Sequence, residues 1–256
     1  MAGEPFVVYD CSLVMRATGQ WVSNLRELLV AVQQMDSLVL EHHMTRCHLG
    51  DWFMLDEFPN DLARWCWCDL EDRAAGERLA LIDPYRQPSH DALRKEIIEV
   101  IEDRLWSAQQ TAPACPPGTE FHLVGSQLVA YETGVRLETM AALAENLPRM
   151  SLRSLFYHVH DARRRSGGQT DDFSAWLEAA GADARLLQGI RAIDFYFMNL
   201  RQLQATLMDV FQSQFSAFHG PAGTPGASAP ATAFPVPLPG NYPATAMPSA
   251  PAGVRQ

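Results

Sequence analysis

The strongest constraint on the fold is that the sequence contains an internal repeat. Two copies align at a shift of 115 residues, which becomes 111 after a shortening of four residues in the second copy. The pairs matched at the first shift include Phe6 with Phe121, Thr18 with Thr133, Gly19 with Gly134, Leu28 with Leu143 and His43 with His158. The pairs matched at the second shift include Asp61 with Asp172, Trp65 with Trp176, Asp72 with Asp183 and Asp83 with Asp194. Agreement at such rare residue types indicates a duplication.

Each copy has the pattern of a helical unit that begins with a short strand. The segments 6–9 and 121–124 are rich in β-formers, so we expect one short strand in each copy. The following segments carry apolar residues at helical spacing. Asp36 and Ser151 are expected to cap the second helix of each copy, and Asp72 and Asp183 the fourth.

These patterns predict a mainly α protein in which two homologous helical repeats pack together. The expected repeats are 5–106 and 120–217, joined by a linker at 107–119. Beyond 217 the chain is rich in proline and alanine and nearly free of charge, a composition that predicts a disordered tail at 218–256.

Charge and cysteine content restrict the classes of partner and the compartment. Thirty acidic against 20 basic residues give a net charge of −10, which disfavours nucleic acids and anionic membranes as partners. No apolar run reaches the length of a membrane span, and no secretory signal is visible at the N-terminus. Five irregularly spaced cysteines fit reduced thiols better than disulfides. We therefore expect a cytoplasmic protein.

Three short segments in each copy resemble an uncharacterised bacterial family of unknown function. The first copy has Glu-His-His at 41–43, Asn-Asp-Leu-Ala-Arg-Trp at 60–65 and Ile-Asp at 82–83. The second copy has Phe-Tyr-His at 156–158, Asp-Asp-Phe-Ser-Ala-Trp at 171–176 and Ile-Asp at 193–194. The family is marked by duplicated Tyr-Tyr-His, Asn-Asp-Phe-Ala-x-Trp and Ile-Asp segments. The first copy departs from it at 41–42, where the family prefers aromatic residues. The resemblance implies no activity.

The repeated polar residues His43, Asp61, His158 and Asp172 are the candidate ligand-binding residues. If the two copies pack about a twofold axis, two imidazoles and two carboxylates converge, a donor set suited to zinc, iron or manganese. The alternative, which we favour, is that each histidine bonds a carboxylate or carbonyl at a helix cap within its own copy. The sequence leaves the metal unidentified and predicts no cofactor.

Arg163 and Arg164 belong to a run of three arginines that is the one concentrated cationic segment of the sequence. Such a run can bind a phosphate, a carboxylate or the more acidic first copy, although a solvated helix end is the simpler interpretation. Trp65 and Trp176 are predicted core anchors, and Asp83 and Asp194 are predicted structural anchors.

No catalytic spacing is present, so the leading hypothesis is a non-catalytic cytosolic binding or regulatory module. Its partner would be another protein or a second copy of the chain. The alternative is a metal- or anion-dependent small-molecule site at the junction of the repeats. A purely structural oligomer is a third possibility.

Overall fold

Two long β-strands that pair with each other organise the fold. The computed structural model describes residues 4–49, 58–109, 112–167 and 170–218. Strand β1 spans Phe6–Val22 and strand β2 spans Phe121–Leu137, each 17 residues long. They form an antiparallel two-stranded ribbon, with Phe6 opposite Leu137 and Leu13 opposite Leu128.

The prediction of a mainly α protein made of two packed helical repeats is therefore wrong. The fold is mixed α/β, with about 57% helix and 17% strand. The expected strands at 6–9 and 121–124 are only the first quarter of β1 and β2. The remainder of each strand is largely solvent-exposed and carries mixed polar residues, so it lacks the apolar alternation of a half-buried strand. Its partner lies more than 100 residues away, and local pattern cannot reveal such a pairing.

Equivalent bulges interrupt the two strands. Gly19 and Gly134 adopt φ values of 74° and 82°, a left-handed backbone that favours glycine. The hydroxyl of Thr18 donates to the Leu123 carbonyl at 2.6 Å, and that of Thr133 donates to the Val8 carbonyl at 2.8 Å. The Thr-Gly pair of each half therefore shapes a bulge in the ribbon.

Helices follow each strand in the same order. In the first half they are α1 (Leu25–Gln34), α2 (Ser37–Met44), a 3₁₀ turn (Arg46–Leu49), α3 (Asp61–Cys68), α4 (Arg73–Ala80) and α5 (His90–Ser107). In the second half they are α6 (Met140–Asn146), a 3₁₀ turn (Leu147–Arg149), α7 (Leu152–Phe156), a π turn (Tyr157–Asp161), α8 (Ala162–Arg165), α9 (Asp172–Ala179), α10 (Ala184–Arg191), a 3₁₀ turn (Phe195–Phe197) and α11 (Leu200–Phe218). The predicted caps Asp36, Ser151, Asp72 and Asp183 are confirmed, each accepting a backbone N–H of the first turn.

Each half builds its core around the strand of the other half. Phe121 and Leu123 of β2 lie in the core formed by α1 to α5. Phe6, Val8 and Cys11 of β1 lie in the core formed by the second-half helices. The halves are therefore reciprocally strand-exchanged, and neither core is complete without the other half.

The segment expected to be a linker contributes to the first core. The Cys115 N–H donates to the Ser23 carbonyl at 2.7 Å, and the Cys115 side chain is buried among first-half residues. The predicted disordered tail lies outside the described residues, except for Phe218 at the end of α11. Among the described helices, none is long and apolar enough to cross a bilayer.

Candidate functional site

His43 and His158 occupy equivalent positions and make equivalent hydrogen bonds. Nδ1 of His43 lies 2.8 Å from Oδ2 of Asp61, and Nδ1 of His158 lies 2.8 Å from Oδ2 of Asp172. The second nitrogen of each ring accepts a backbone N–H from the exchanged strand. Val124 donates to Nε2 of His43 and Tyr9 donates to Nε2 of His158, both at 3.0 Å.

These bonds assign a tautomer and a structural role to each histidine. Because Nε2 accepts, the proton is on Nδ1 and is donated to the aspartate. Each imidazole thus links the start of a helix in its own half to the strand of the other half, and its ring packs against the first phenylalanine of that strand. Both rings are buried. The two histidines therefore stabilise the exchanged arrangement of β1 and β2.

The four candidate residues form two separate pairs. Each histidine bonds the aspartate of its own half. Within the described ranges, no hydrogen bond or ion pair joins the His43–Asp61 pair to the His158–Asp172 pair. The geometry therefore corresponds to the interpretation in which each histidine serves its own half, with the added bond to the exchanged strand.

The arginine run is neutralised by carboxylates. Arg163 lies 3.3 Å from Asp171 and stacks on the Phe195 ring. Arg164 pairs with Glu41 of the first half and lies 3.0 Å from Asp161. A guanidinium engaged in this way has little capacity left for an external anion. Arg163 and Arg164 thus act first as internal ion-pair partners.

Arg165 joins the second-half pair. Its Nη2 lies 3.0 Å from Oδ2 of Asp172, the same oxygen that faces His158. Its guanidinium also pairs with Asp161 at 2.8 Å and lies 4.4 Å above the Tyr157 ring. These contacts lie along the π turn, in which four consecutive residues, from His158 to Asp161, are buried.

Three further buried histidines line the junction and were not among the candidate ligand-binding residues chosen from the sequence. Nδ1 of His42 lies 2.9 Å from the Ser126 hydroxyl, and Nδ1 of His160 lies 3.0 Å from the Tyr85 hydroxyl. The rings of His48 and His160 are 5.2 Å apart. Burial lowers the pKa of His42 and of His48 to about 4, and lowers that of His160 as well. No spacing rule pointed to these residues, because only the exchanged strand and the meeting of the halves bury them.

His42, His43 and Asp61 are the residues of the described chain that together could hold a metal ion. One ligand atom from each lies within 4.8 Å of the other two. The set contains two imidazoles and one carboxylate, which suits zinc, cobalt, iron or manganese.

The predicted anchors differ between the halves. Trp65 is fully buried and its Nε1–H donates to the Thr119 carbonyl at 2.8 Å, whereas the half-buried Trp176 donates to the Glu4 carbonyl at 2.8 Å. Asp83 accepts the Tyr85 N–H at 2.9 Å, and burial raises its pKa. Asp194 is exposed and its side chain makes no cap bond to the 3₁₀ turn that follows.

The buried thiols are poor candidates for chemistry. Burial raises the pKa of Cys11 to about 12 and raises that of Cys66 as well. A thiol that stays protonated at pH 7 is a weak nucleophile.

A cleft lies where the two halves meet. Its volume is about 340 Å³, and its walls include Glu41, Thr45, Tyr85 and Ser89 of the first half and Arg164 of the second. The Glu41–Arg164 ion pair that joins the halves borders this cleft. The size suits a small polar ligand.

An apolar groove lies at one end of the ribbon. Its volume is about 560 Å³ and its walls include Trp21 and Val30, which are 57% and 47% exposed. The second half has Arg136 and Glu145 at the positions matched by the shift of 115. Charged residues therefore stand at the equivalent positions of the second half, so an apolar pair here is not a feature that the two halves share.

Comparison with known proteins identifies a family and a solved structure. The family of unknown function DUF5752 matches residues 3–212. The solved structure of OrfY from Thermoproteus tenax is similar with a TM-score of 0.67 and 26% sequence identity, over 84% of this chain and 97% of that chain. No match was found among curated proteins. The chain belongs to the family of unknown function DUF5752.

Proposed function

We propose that the protein is a non-catalytic cytoplasmic binding module that docks a protein partner on the groove around Trp21 and Val30. The observation that carries the proposal is the difference between the halves. Two exposed apolar side chains stand where the equivalent half has arginine and glutamate. Exposed apolar patches that the fold does not need are typical of interaction sites.

The polar residues of the fold support a non-catalytic role. The repeated histidines use both ring nitrogens to hold the exchanged strands. Cys11 and Cys66 are buried thiols, which suits a reducing compartment. The described chain thus offers no activated nucleophile with a free general base beside it.

The charge of the chain favours a different protein over a second copy. Two copies that each carry a net charge of −10 repel each other, whereas a partner with a basic surface is attracted. The groove accepts an apolar side chain of that partner next to Trp21, and Arg26 and Glu27 at its rim supply polar contacts. Tryptophan at such a position is a frequent centre of binding energy.

The test replaces the groove residues with those of the second half. The double variant Trp21→Arg, Val30→Glu is compared with the native chain in affinity capture from native lysate. Val14→Thr, at another exposed ribbon position, is the matched control. We expect a protein that the native chain and the control retain and the double variant loses. Its affinity, measured with purified components, should fall about tenfold or more in the double variant.

Two results would overturn the proposal. One is equal retention of every captured protein by the native chain and the double variant. The other is concentration-dependent dimerisation in light scattering that the double variant abolishes, which would make a second copy the occupant.

The cleft at the junction favours small-molecule binding as a second candidate function. Its wall carries the Glu41–Arg164 ion pair, so a ligand with both an acidic and a basic group binds there by exchanging with the two partners of that pair. Thermal shift with free amino acids tests this. Stabilisation that Arg164→Gln removes would support it, and no shift with any amino acid would exclude this ligand class.

A further inference from the structure

Three polar residues line the cleft at the junction at positions where the second half has apolar residues. The pairs matched by the shifts of 115 and 111 are Glu41 with Phe156, Gln87 with Met198 and Ser89 with Leu200. All three apolar residues lie in the second core or pack against it. The first half therefore places polar side chains around a cavity where the equivalent side chains of the second half contribute to a core.

The cleft wall contains a buried carboxylate oxygen that accepts no hydrogen bond. Glu41 is 3% exposed, and its Oε2 lies 3.2 Å from Nη2 of Arg46. Its Oε1 lies 2.5 Å from Nε of Arg164, but no described residue donates a hydrogen bond to Oε1. A buried carboxylate oxygen in this state lacks the hydrogen bonds that it makes in water. It therefore favours a ligand that carries a donor, and a positively charged donor most strongly.

The first turn of α5 supplies the opposite polarity on the same wall. Ser89, His90 and Leu93 of this 18-residue helix line the cleft. Ser89 is the N-cap, and its Oγ accepts the Ala92 N–H at 3.1 Å. The N–H groups of His90 and Asp91 lie before that bond and have no acceptor within the helix. Such N–H groups, together with the helix dipole, favour a carboxylate.

We propose, on the basis of the second candidate function above, that the cleft binds a free α-amino acid with an apolar side chain. The ammonium group of the ligand donates to Oε1 of Glu41. The carboxylate accepts from the first turn of α5 and from Arg164, whose place at Oε1 the ammonium group takes. Pro84, Pro88 and Leu93 of the cleft wall contact the apolar side chain, and a volume of about 340 Å³ is enough for one amino acid.

The experiment titrates L-leucine, L-methionine and L-phenylalanine into the full chain by calorimetry. We expect one site per chain for at least one of them. Two analogues of the amino acid that binds most tightly each lack one charged group, since the N-acetyl derivative has no ammonium group and the amide has no carboxylate. Each analogue should bind about tenfold or more weakly. Equal binding of either analogue would overturn the proposal, because the ligand would then be recognised as one end of a peptide.

Two substitutions locate the charged groups of the ligand. Ser89→Asp keeps a residue that caps helices but places a negative charge where the carboxylate binds. Glu41→Gln removes the charge that attracts the ammonium group. Each should weaken binding by about tenfold or more. Thr139→Asp, at the exposed N-cap of α6, makes the same change of charge outside the cleft and should leave the affinity unchanged.

Three further outcomes would overturn the proposal. These are no binding of any of the three amino acids, unchanged affinity in Ser89→Asp, and equal weakening by Ser89→Asp and Thr139→Asp. Binding that Arg164→Gln weakens and Ser89→Asp does not would retain the cleft as an amino-acid site but would overturn the role of α5. Thermal unfolding shows whether each variant folds. The two analogues and Ser89→Asp keep the test valid even if Glu41→Gln does not fold.

Discussion

The two halves share a backbone plan but use it differently. Both bury a histidine that bonds an aspartate and accepts an N–H of the exchanged strand. The second half adds an ion pair between Arg165 and Asp172. Among the described residues, no arginine pairs with the equivalent Asp61 of the first half. What the halves share maintains the fold, and what differs between them is available for function.

The largest predicted difference concerns the equivalent tryptophans. Trp65→Ala should lower the free energy of unfolding by about 3–5 kcal/mol, because the ring is fully buried and its N–H bonds Thr119. The half-buried Trp176 loses less area in Trp176→Ala, so about 1–2 kcal/mol is expected. Urea unfolding followed by circular dichroism measures both. Equal losses would contradict the unequal burial.

The equivalent histidines should behave alike. His43→Ala and His158→Ala each leave a strand N–H without its acceptor, and each removes a buried ring. The expected loss is about 2–4 kcal/mol in both variants. Hydrogen exchange should show faster exchange at Val124 in the first variant and at Tyr9 in the second. Destabilisation of only one variant would contradict the prediction, because it would show that only one of the two histidines stabilises the exchanged strand.

Acid should lower the stability of the junction between the halves, because each half contributes a buried histidine to it. His48 belongs to the first half and His160 to the second. Burial lowers the pKa of His48 to about 4 from the unfolded value of 6.5. Below pH 6.5 the unfolded chain therefore binds more protons than the folded one, and the free energy of unfolding falls as the pH is lowered towards 4. For His48 alone the loss at pH 5 is about 2 kcal/mol.

Urea unfolding between pH 7.5 and pH 5 measures this dependence. His160→Phe should make the curve shallower, because burial also lowers the pKa of His160 and this group no longer titrates. The exposed His122→Asn is the control. A native curve that is flat over this range would show that water reaches these imidazoles.

The smallest predicted effect comes from removing the cation of the second half. Arg165→Ala leaves Asp172 with His158 alone, as Asp61 is left with His43, and the partly exposed ion pairs lost are worth about 1 kcal/mol. The loss should shrink in high salt. A salt-independent loss several times larger would show that Arg165 is essential to the fold of the second half.

The sequence predicted features that depend on near neighbours. Asp36, Asp72, Ser151 and Asp183 cap helices as expected, because a cap needs only a side chain and the N–H groups two or three residues ahead. The expected burial of Trp65 was likewise readable from an apolar helix face. The burial of His42, His48 and His160 was not, since it results from packing between segments far apart in the chain.

The four repeated residues also show which features the sequence predicts and which depend on tertiary packing. Their types and spacing identified His43, Asp61, His158 and Asp172 as important in both halves. Whether they converge on one site or serve each half separately depends on the pairing of β1 with β2. That pairing was mispredicted because most of each strand is exposed and polar.

The sequence by itself determined the positions of the helices, their caps and the residues that recur in both halves. Only the tertiary structure decided that the halves exchange strands, that each histidine holds the strand of the other half and that the arginine run is neutralised. The physical reason is the separation in sequence between the residues that interact. Capping and helical periodicity act within a few residues, whereas strand pairing, burial and ion-pair networks join residues about 100 or more positions apart.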